Sequence, residues 1–341
     1  MRRTSLLLVT LLGPSMVFAH GSPNTISGSS SHAPISVMGD HTHKAGEWML
    51  SYRYMSMAMG GNLDGSDGIS SAEITGNMMN PGQYMVAPED MVMTMHMLGA
   101  MYAPSDQLTV MAMLPWVSSE MDHVTRMGGR FTTEAAGFGD VKLSALVNVY
   151  QSVSKAHKVH LNLGLSLPTG SIDERDDTPA MANAKLPYPM QLGSGSIDVM
   201  PGMTYQGFGE IYSWGSQLML TLPTAENDND YQLGNRYGVS VWLARSWSTA
   251  VSTSLGLNYQ YWQNIDGARE DLNPNMVPTA DPDARAGQRA DLSLGLNYLF
   301  IRGSLKGHRL ALEYSQPIFQ RLDGPHMELE STLTLGWQYA F

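Results

Sequence analysis

The sequence contains no cysteine, and beyond its N-terminus it has no long uninterrupted apolar segment. Without cysteine the chain can form neither a disulfide framework nor a lipid-modified N-terminal cysteine. A membrane-spanning helix needs about 18 or more consecutive apolar residues, so the sequence excludes a helical membrane protein. Basic residues are also scarce, with 20 Lys and Arg against 31 Asp and Glu. This acidic balance argues against nucleic acid as a partner.

The first nineteen residues have the three parts of a Sec signal peptide. Arg2 and Arg3 form the positive region, residues 6–12 form an apolar core, and Val17-Phe18-Ala19 is an A-x-A-like cleavage site. We therefore expect Sec export and cleavage near Ala19. The chain then divides into a signal peptide at 1–19, a flexible leader or lumen plug containing His, Gly and Ser at 20–45, and an outer-membrane β-barrel at 46–341.

The C-terminal segment alternates with a period of two. One face carries Leu329, Ser331, Leu333, Leu335, Trp337, Tyr339 and Phe341, and the other carries polar or small residues. An apolar face, an aromatic cluster and a terminal phenylalanine are typical of the closing strand of a bacterial outer-membrane barrel. The expected partners are therefore outer-membrane lipids, lipopolysaccharide and the barrel-assembly machinery, which would contact the C-terminal strand through Phe341.

Similar alternation recurs along the chain. It predicts an all-β fold: a transmembrane up-and-down antiparallel β-barrel of about 12 strands, of the bacterial outer-membrane type. The predicted strands are 46–57, 90–102, 107–117, 139–150, 157–167, 195–206, 210–221, 235–244, 248–262, 288–300, 308–317 and 327–341. The long loops are predicted at 58–89, 118–138, 168–194, 222–234, 263–287 and 318–326. Short turns alternating with long loops are the pattern of periplasmic and extracellular connections.

A barrel with polar inward faces suits a passive channel or transporter for a small solute in the outer membrane of a Gram-negative bacterium. Twelve strands lie between filled eight-stranded barrels and open sixteen-stranded porins, so loops or the leader are expected to narrow the lumen. Alternation predicts inward polar residues that the solute would meet: Arg53, Asp140, Lys142, Asn148, Asn162, Asp198, Asn258, Asp291 and Glu313.

Three short segments, together with the C-terminal strand, resemble one family of outer-membrane proteins. They are Met101–Leu108, Gly164–Gly170 and Leu222-Pro223-Thr224. The family is named for the "MetA-pathway of phenol degradation", and the resemblance covers most of the mature chain. It implies an outer-membrane transporter of a small solute, with an apolar or aromatic compound as the expected class. The chain departs from a generic member in its methionine content.

Methionine is unusually abundant near the N-terminus: 17 of the 26 methionines lie between His20 and Arg130. Two interpretations remain open, because thioethers are soft ligands for Cu(I) or Ag(I) and methionine is also an adaptable apolar residue. Strand register predicts an inward patch of Met49, Met55, Met57, Met111 and Met113. The direction of Met91, Met93, Met95 and Met97 stays undecided. An outward Tyr102 at the membrane interface would turn this row toward the lumen, whereas the cost of placing a polar His96 in lipid would turn the row outward.

Histidine is concentrated in the leader, at His20, His32, His41 and His43. His41 and His43 are two residues apart, so an extended chain would present both imidazoles on one side as a transition-metal pair. A flexible tail without a ligand is the alternative interpretation. No cofactor is expected beyond weak Cu or Ag binding by these histidines and the inward methionines.

Two other roles are weighed against transport. An outer-membrane phospholipase would need a Ser and His pair on the outer surface, but alternation places His160 and Ser166 inward, and no nucleophile elbow is present. We therefore predict that the protein is not an enzyme. The remaining alternatives are a copper- or silver-handling barrel that uses Met and His, and a structural or binding barrel that does not transport.

Acidic residues concentrate in the predicted long loops. They are Asp173, Glu174, Asp176, Asp177, Glu226, Asp228 and Asp230. A solvated loop surface and a calcium site at the cell surface both fit this pattern.

Overall fold

The computed structural model describes Gly28 and residues 32–341. The predicted signal peptide and His20 lie outside the described residues. A thirteen-stranded sheet forms the body of the protein, and eleven of its strands close into an antiparallel ring because the last pairs with the first. The all-β barrel predicted from the sequence is confirmed.

The main strands are numbered here in chain order. They are β1 (Trp48–Gly65), β2 (Val86–Ser105), β3 (Leu108–Thr125), β4 (Arg130–Phe138), β5 (Val141–Gln151), β6 (His157–Leu167), β7 (Asp198–Phe208), β8 (Tyr212–Pro223), β9 (Arg236–Ser246), β10 (Val251–Trp262), β11 (Gly287–Leu299) and β12 (His308–Ala340). β4 lies off the ring and pairs with the C-terminal part of β3. β5 pairs with the N-terminal part of β3. The other extra strand, Asp67–Ile69, pairs with the end of β1.

β12 is 33 residues long and folds back on itself. A straight strand of that length would measure about 110 Å, yet Trp337 Nε1 lies 3.0 Å from His308 Nδ1. Nearer the point where β12 reverses direction, the side-chain amide of Gln320 makes two hydrogen bonds with the backbone of Leu329. The first half of β12 pairs with β11 and the second half with β1. The wall therefore has twelve spans, the number expected from the sequence.

Side chains alternate between an outer row and a lumen row in each span. On β10, Leu255 is 48% exposed on the outside, whereas its neighbour Ser254 is 5% exposed and faces inward. Leucine is stable against lipid, and serine is stable against the polar lumen. Only every second residue of a strand has to be apolar, so a modest apolar content is enough to build the wall.

Aromatic rings mark both ends of the outer apolar band. Trp48 packs against Tyr102 near the short turns, with ring centroids 4.5 Å apart. Tyr237 and Tyr261 are neighbours near the long loops, with centroids 5.9 Å apart. Two aromatic girdles around an apolar band are the surface of an outer-membrane barrel. Among the described residues, no helix is long and apolar enough to cross a membrane.

The last residue closes the ring. The amide of Phe341 donates to the carbonyl of Trp48 at 2.8 Å, and the amide of Trp48 donates to the carbonyl of Phe341 at 2.9 Å.

The outward direction predicted for Leu329 is wrong, since this residue is buried at 5% exposure. The pairing with β1 shifts between Ser331 and Leu329. A β-bulge of this kind moves the side chains beyond it to the other face.

The loop predicted at 118–138 is also wrong, because β3 continues to Thr125 and returns through β4 as a hairpin. In this hairpin the inward Met121 is fully buried, while the outward neighbours Glu120 and Asp122 are charged. Beyond the aromatic girdle the outer face meets water, so the apolar pattern that reveals a lipid-facing strand disappears there. β1 and β2 extend into the predicted loop 58–89 for the same reason.

The remaining long connections fold across the mouth of the barrel with short elements. These are α1 (Ser71–Thr75), the 3₁₀ turns Tyr188–Met190, Pro278–Ala280 and Pro282–Ala284, and two-residue strands at Arg175–Asp176, Ala184–Lys185, Tyr231–Gln232 and Asp266–Gly267. The loop between β6 and β7 turns inward, and its Leu186 and Met190 are buried against lumen-facing methionines of β2 and β3. The long-loop end of the lumen is therefore narrowed by this loop.

Candidate functional site in the barrel lumen

The N-terminal residues 32–45, called here the docked segment, lie inside the barrel near the short turns. Its Ala33, Ile35 and Val37 are at most 6% exposed. Ala33 and Val37 pack against Trp242, an inward residue of β9. Apolar side chains of the docked segment thus fill part of the lumen.

Side chains of the wall hold the docked segment by seven hydrogen bonds, six with its backbone and one with the Thr42 hydroxyl. The donors and acceptors come from β3, β5, β6, β8 and β12 and from the turn after β2. The bonds are Arg309 Nη2 to Ala33 O (2.9 Å), Ser36 N to Glu313 Oε2 (3.1 Å), Gln217 Nε2 to Met38 O (2.9 Å), His160 Nε2 to Gly39 O (2.8 Å), Thr42 Oγ1 to Asn148 Oδ1 (2.9 Å), His43 N to Thr109 Oγ1 (3.0 Å) and Ala45 N to Asp106 Oδ1 (2.8 Å). The segment has no strand partner, so these side chains satisfy backbone groups that burial would otherwise leave unpaired.

Two glycines allow the docked segment to approach the wall closely. A Cβ atom on Gly336 of β12 would lie 2.5 Å from Ile35 Cγ1. Gly39 has a φ of +60°, and a Cβ atom there would lie 3.2 Å from Leu146 Cδ2 on β5. A larger residue at position 336 would push Ile35 away, and position 39 also requires the left-handed conformation that glycine adopts easily.

We expect Gly336→Ala to displace the docked segment while leaving the barrel closed. The added methyl group overlaps Ile35, and overpacking of this kind typically costs about 1–3 kcal/mol. Limited trypsin digestion at Lys44 would report the displacement as faster cleavage of the folded barrel. The double variant Gly336→Ala with Ile35→Ala removes the overlap and should restore slow cleavage. Equal cleavage rates in the parent and in Gly336→Ala would contradict this packing.

Asp140, one of the predicted lumen residues, anchors the inward loop between β6 and β7. Its carboxylate accepts hydrogen bonds from Gly170 N at 2.9 Å, Ser194 N at 2.8 Å and Ser194 Oγ at 2.9 Å. These contacts join the two ends of the loop to the start of β5. The lumen is therefore narrowed at one end by the docked segment and at the other by a loop that Asp140 holds.

The other predicted polar residues lie on the lumen rows between these two constrictions or beside the docked segment. Asn162, Asp198, Asp291 and Glu313 are at most 5% exposed, and Arg53, Lys142, Asn148 and Asn258 are half-buried. Asp198 accepts a hydrogen bond from Ser196 Oγ at 2.7 Å, and Asp291 pairs with Arg289 at 2.9 Å. The lumen thus carries charges of both signs, and part of that charge is already neutralised in pairs.

The methionine row of β2, whose direction the sequence left open, faces the lumen. His96 lies on the opposite face, where its Nδ1 is 2.7 Å from the hydroxyl of the outward Tyr52. This hydrogen bond on the outer surface lowers the cost of placing an imidazole beside lipid. An outward His96 is therefore tolerated because its imidazole is paired with a tyrosine of the neighbouring strand.

Methionines on three neighbouring strands form one continuous inward surface, called here the methionine face. Its members are Met49, Met55, Met57, Met59, Met91, Met93, Met95, Met97, Met101, Met111, Met113 and Met121. Several are direct cross-strand partners, namely Met49 with Met101, Met55 with Met95, Met57 with Met93, Met59 with Met91, Met91 with Met121 and Met101 with Met111. Directly opposite side chains have Cβ atoms about 4.5–5.5 Å apart, so paired thioethers can meet.

The five methionines predicted as a patch all belong to this face. Met49 and Met113 are buried, at 3% and 5% exposure. Met55, Met57 and Met111 are half-buried within the closed wall, which indicates space beside them in the lumen. The structure brings these five residues onto one surface and adds the inward row of β2 to it.

The two predicted metal-binding histidines have different surroundings. His41 Nδ1 lies 2.7 Å from Asp40 Oδ1 and 3.3 Å from His32 Nδ1. His43 Nδ1 instead lies 3.4 Å from Glu47 Oε2, although its ring centroid is 4.8 Å from that of His41. Within residues 32–341, a group of three possible metal ligands occurs at His32, Asp40 and His41, whose ligand atoms all lie within 4.8 Å of one another.

The acidic residues of the long loops make contacts inside the loops. Asp173 Oδ1 accepts from Lys185 Nζ at 2.6 Å and from Arg269 Nη2 at 2.8 Å. The hydrogen bond from Lys185, followed by that from Arg269, lowers the pKa of Asp173 to about 2. Asp176 accepts from the amide of Glu134 at 2.7 Å. These carboxylates hold the loop and the β4 hairpin together, which supports a structural role for them.

His160, which was weighed as a catalytic partner of Ser166, and its strand neighbour His157 both have other partners. His160 Nε2 contacts the carbonyl of Gly39 at 2.8 Å, and His157 Nδ1 lies 2.9 Å from the hydroxyl of Tyr205. His160 therefore belongs to the set of residues that position the docked segment.

Arg309 is a residue of the site that the sequence analysis missed. It is 3% exposed, and its guanidinium bonds Ala33 O, Asn297 Oδ1 and Gln338 Oε1. The strand alternation that selected Glu313 places Arg309 on the same face, four residues earlier. The sequence therefore held a signal for Arg309.

Several solved structures align with most of this chain. The COG4313 outer membrane channel from Pseudomonas putida F1 is 15% identical with a TM-score of 0.60, and the match covers 89% of this chain and 99% of that one. The P. putida toluene transporter TodX is 10% identical with a TM-score of 0.42, covering 87% and 90% of the two chains. A Pseudomonas aeruginosa FadL homologue is 11% identical with a TM-score of 0.39, covering 86% and 89%. The match to the COG4313 channel supports the barrel fold. No curated protein matches the sequence.

A family model matches residues 81–305, from just before β2 to just after β11. The docked segment, β1 and the β12 hairpin lie outside the matched residues. The match covers well over half of the chain and confirms the resemblance drawn from the short sequence motifs. The chain belongs to the family described as "Putative MetA-pathway of phenol degradation".

Proposed function

We propose that this protein is a channel for a small solute in the outer membrane of a Gram-negative bacterium, with a lumen that the docked segment closes reversibly. The aromatic girdles and the apolar band support the location. Sec export with cleavage near Ala19, and recognition of the Phe341 strand by the barrel-assembly machinery, belong to the same proposal. Lipopolysaccharide and other outer-membrane lipids would surround the barrel.

The observation that carries the proposal is the way the docked segment is held. Seven hydrogen bonds from wall side chains and a small apolar contact fix it, without a disulfide and without a strand partner. A net contribution of about 0.5–1.5 kcal/mol for each hydrogen bond is offset by the conformational entropy lost on docking. Because the free energy of docking is small, the segment can leave the lumen, and the barrel can conduct while the segment is out. A role as an enzyme is not part of this proposal.

An apolar or aromatic solute suits the middle of the lumen better than a sugar. The methionine face offers an adaptable apolar surface there, opposite rows that carry hydroxyl, amide and charged groups. A small molecule with an apolar body and one polar group would find partners on both sides. The family description is consistent with this chemical class.

Proteoliposome swelling tests the solute class. We expect an aromatic carboxylate to enter faster than a neutral sugar of similar size, because the aromatic ring can contact the methionine face. Liposomes containing a filled eight-stranded barrel provide the background. Entry of both solutes at the background rate, with the docked segment present or deleted, would contradict a channel and favour a structural or binding barrel.

Handling of a soft metal ion is the second candidate function. The specific observation in its favour is the set of cross-strand methionine pairs, since Cu(I) and Ag(I) prefer thioether ligands. This candidate and the aromatic solute use the same surface and are separated by direct ion-binding measurements.

A further inference from the structure

The docked segment carries a second cluster that transport of a solute does not explain. Three side chains converge on one point: His32 Nδ1 and His41 Nδ1 are 3.3 Å apart, His41 Nδ1 and Asp40 Oδ1 are 2.7 Å apart, and His32 Nδ1 and Asp40 Oδ2 are 3.9 Å apart. Asp40 and His41 are buried at 3% and 9% exposure. The three residues are outside the matched family region.

We propose that His32, Asp40 and His41 form a binding site for one divalent transition-metal ion of the Zn(II) and Cu(II) class, which fixes the docked segment in its folded form. The site uses nitrogen and oxygen ligands, so it is chemically distinct from the thioether surface of the methionine face. It is also independent of which solute passes through the barrel.

The separation of the two imidazole nitrogens fits a tetrahedral ion. Two nitrogen ligands at about 2.0–2.1 Å from a tetrahedral metal ion are about 3.3–3.4 Å apart. The His32 and His41 nitrogens have this separation at 3.3 Å. Asp40 supplies a carboxylate oxygen as the third protein ligand, the number that an open tetrahedral site uses. Its Oδ1 is 2.7 Å from His41 Nδ1, closer than two ligands of one tetrahedral ion, so this contact must lengthen when an ion binds.

Hydrogen bonds alone cannot pair all three polar atoms of this cluster well. His41 Nδ1 faces both a carboxylate oxygen and the His32 nitrogen, and a single N–H can be well aligned with only one of them. A metal ion accepts electron pairs from all three atoms at once.

The far sides of the imidazoles supply a second observation. The Nε2 atoms of His41 and His43 are buried and have no hydrogen-bond partner among the described residues. The His43 ring stands edge-on to His41, with centroids 4.8 Å apart. Metal-bound imidazoles usually donate their second N–H to a water or an oxygen. No described residue accepts from His41 Nε2, so with an ion at Nδ1 a water would have to take that place.

The alternative is a structural carboxylate. Asp40 Oδ2 accepts from the amide of Ala33 at 2.9 Å, and its charge is attracted to the buried Arg309 and the half-buried Arg53. In that case Asp40 would balance the arginines and His41 would only orient it. The two explanations differ in what happens when an ion is added.

Cobalt(II) binding to the refolded mature barrel tests the site, because the visible absorption of cobalt reports tetrahedral nitrogen and oxygen ligation. All samples carry His20→Gln and no affinity tag, so that the N-terminal histidine cannot contribute. We expect one equivalent of Co²⁺ to give an intense visible band that Zn²⁺ displaces. His32→Gln, Asp40→Asn and His41→Gln should each weaken binding by more than about tenfold.

His96→Gln is the matched control, since His96 lies on the outer surface and should leave the band unchanged. Heat-modifiable migration in detergent gels verifies that every variant is a folded barrel. Absence of the band in the parent, or the same affinity in the parent and in folded His41→Gln, would overturn the metal site and leave Asp40 as a structural carboxylate. Neither result depends on whether the barrel transports a solute.

Discussion

Deletion of residues 20–45 is expected to turn a nearly closed barrel into a conducting one, with a single-channel conductance several-fold higher than that of the mature protein. The deletion removes the docked segment and its apolar residues from the lumen. It stops before Gly46, whose amide makes the first backbone hydrogen bond with the wall, to Ala103 O at 2.8 Å. β1 keeps both of its neighbours, so the barrel should remain closed. Planar-bilayer recording of refolded protein measures the change.

A shorter deletion provides the matched control. Removing residues 20–31 leaves the docked segment and all seven of its wall contacts in place, so the conductance should equal that of the mature protein. Equal conductance after the two deletions would contradict closure by the docked segment. The inward loop between β6 and β7, held by Asp140, would then be the element that closes the lumen.

The strands were predictable because lipid imposes a strict pattern on them. Leu292, Leu294 and Leu296 alternate with small or polar residues, and this period identifies both the span and its outer face. The same pattern failed in the β3–β4 hairpin, where Glu120 and Asp122 point outward into water. Alternation therefore predicts the part of the wall in contact with lipid and underestimates the length of strands beyond it.

The lumen was predictable in composition but not in arrangement. Alternation placed Glu313 inward without showing that it bonds the amide of Ser36, 277 positions earlier in the chain. The pairing of His41 with His32 also depends on how the docked segment folds, because the two are nine positions apart in the chain. Contacts of this kind come from tertiary structure, and no local period in the sequence encodes them.

Replacement of Met49, Met55, Met57, Met111 and Met113 by leucine is expected to abolish most Ag(I) binding by the barrel. Four of these residues are directly opposite another methionine of the face, so the substitutions break the pairs Met49–Met101, Met55–Met95, Met57–Met93 and Met101–Met111. An Ag(I) ion held between two thioethers loses one of its ligands at each broken pair. The measurement is Ag(I) binding to refolded barrel that lacks residues 20–45, so that the leader histidines cannot contribute.

The barrel itself should change little. Leucine has nearly the volume and apolarity of methionine, and exchanges of this kind usually cost less than about 1.5 kcal/mol each. The temperature at which the folded band disappears in detergent gels should therefore stay close to that of the parent. A large fall in this temperature would mean that methionine is needed for packing, and the loss of Ag(I) binding would then have to be measured with fewer substitutions.

The matched control removes the same number of thioethers from outside the lumen. Met78, Met79, Met85, Met127 and Met203 are 46–92% exposed, in loops or on the outer face of β7. Changing these five to leucine should leave Ag(I) binding intact, because none belongs to the methionine face. If the two five-leucine variants bind Ag(I) equally well, the methionine face serves only as an adaptable apolar lining. The lumen would then be better suited to an organic solute than to a soft metal ion.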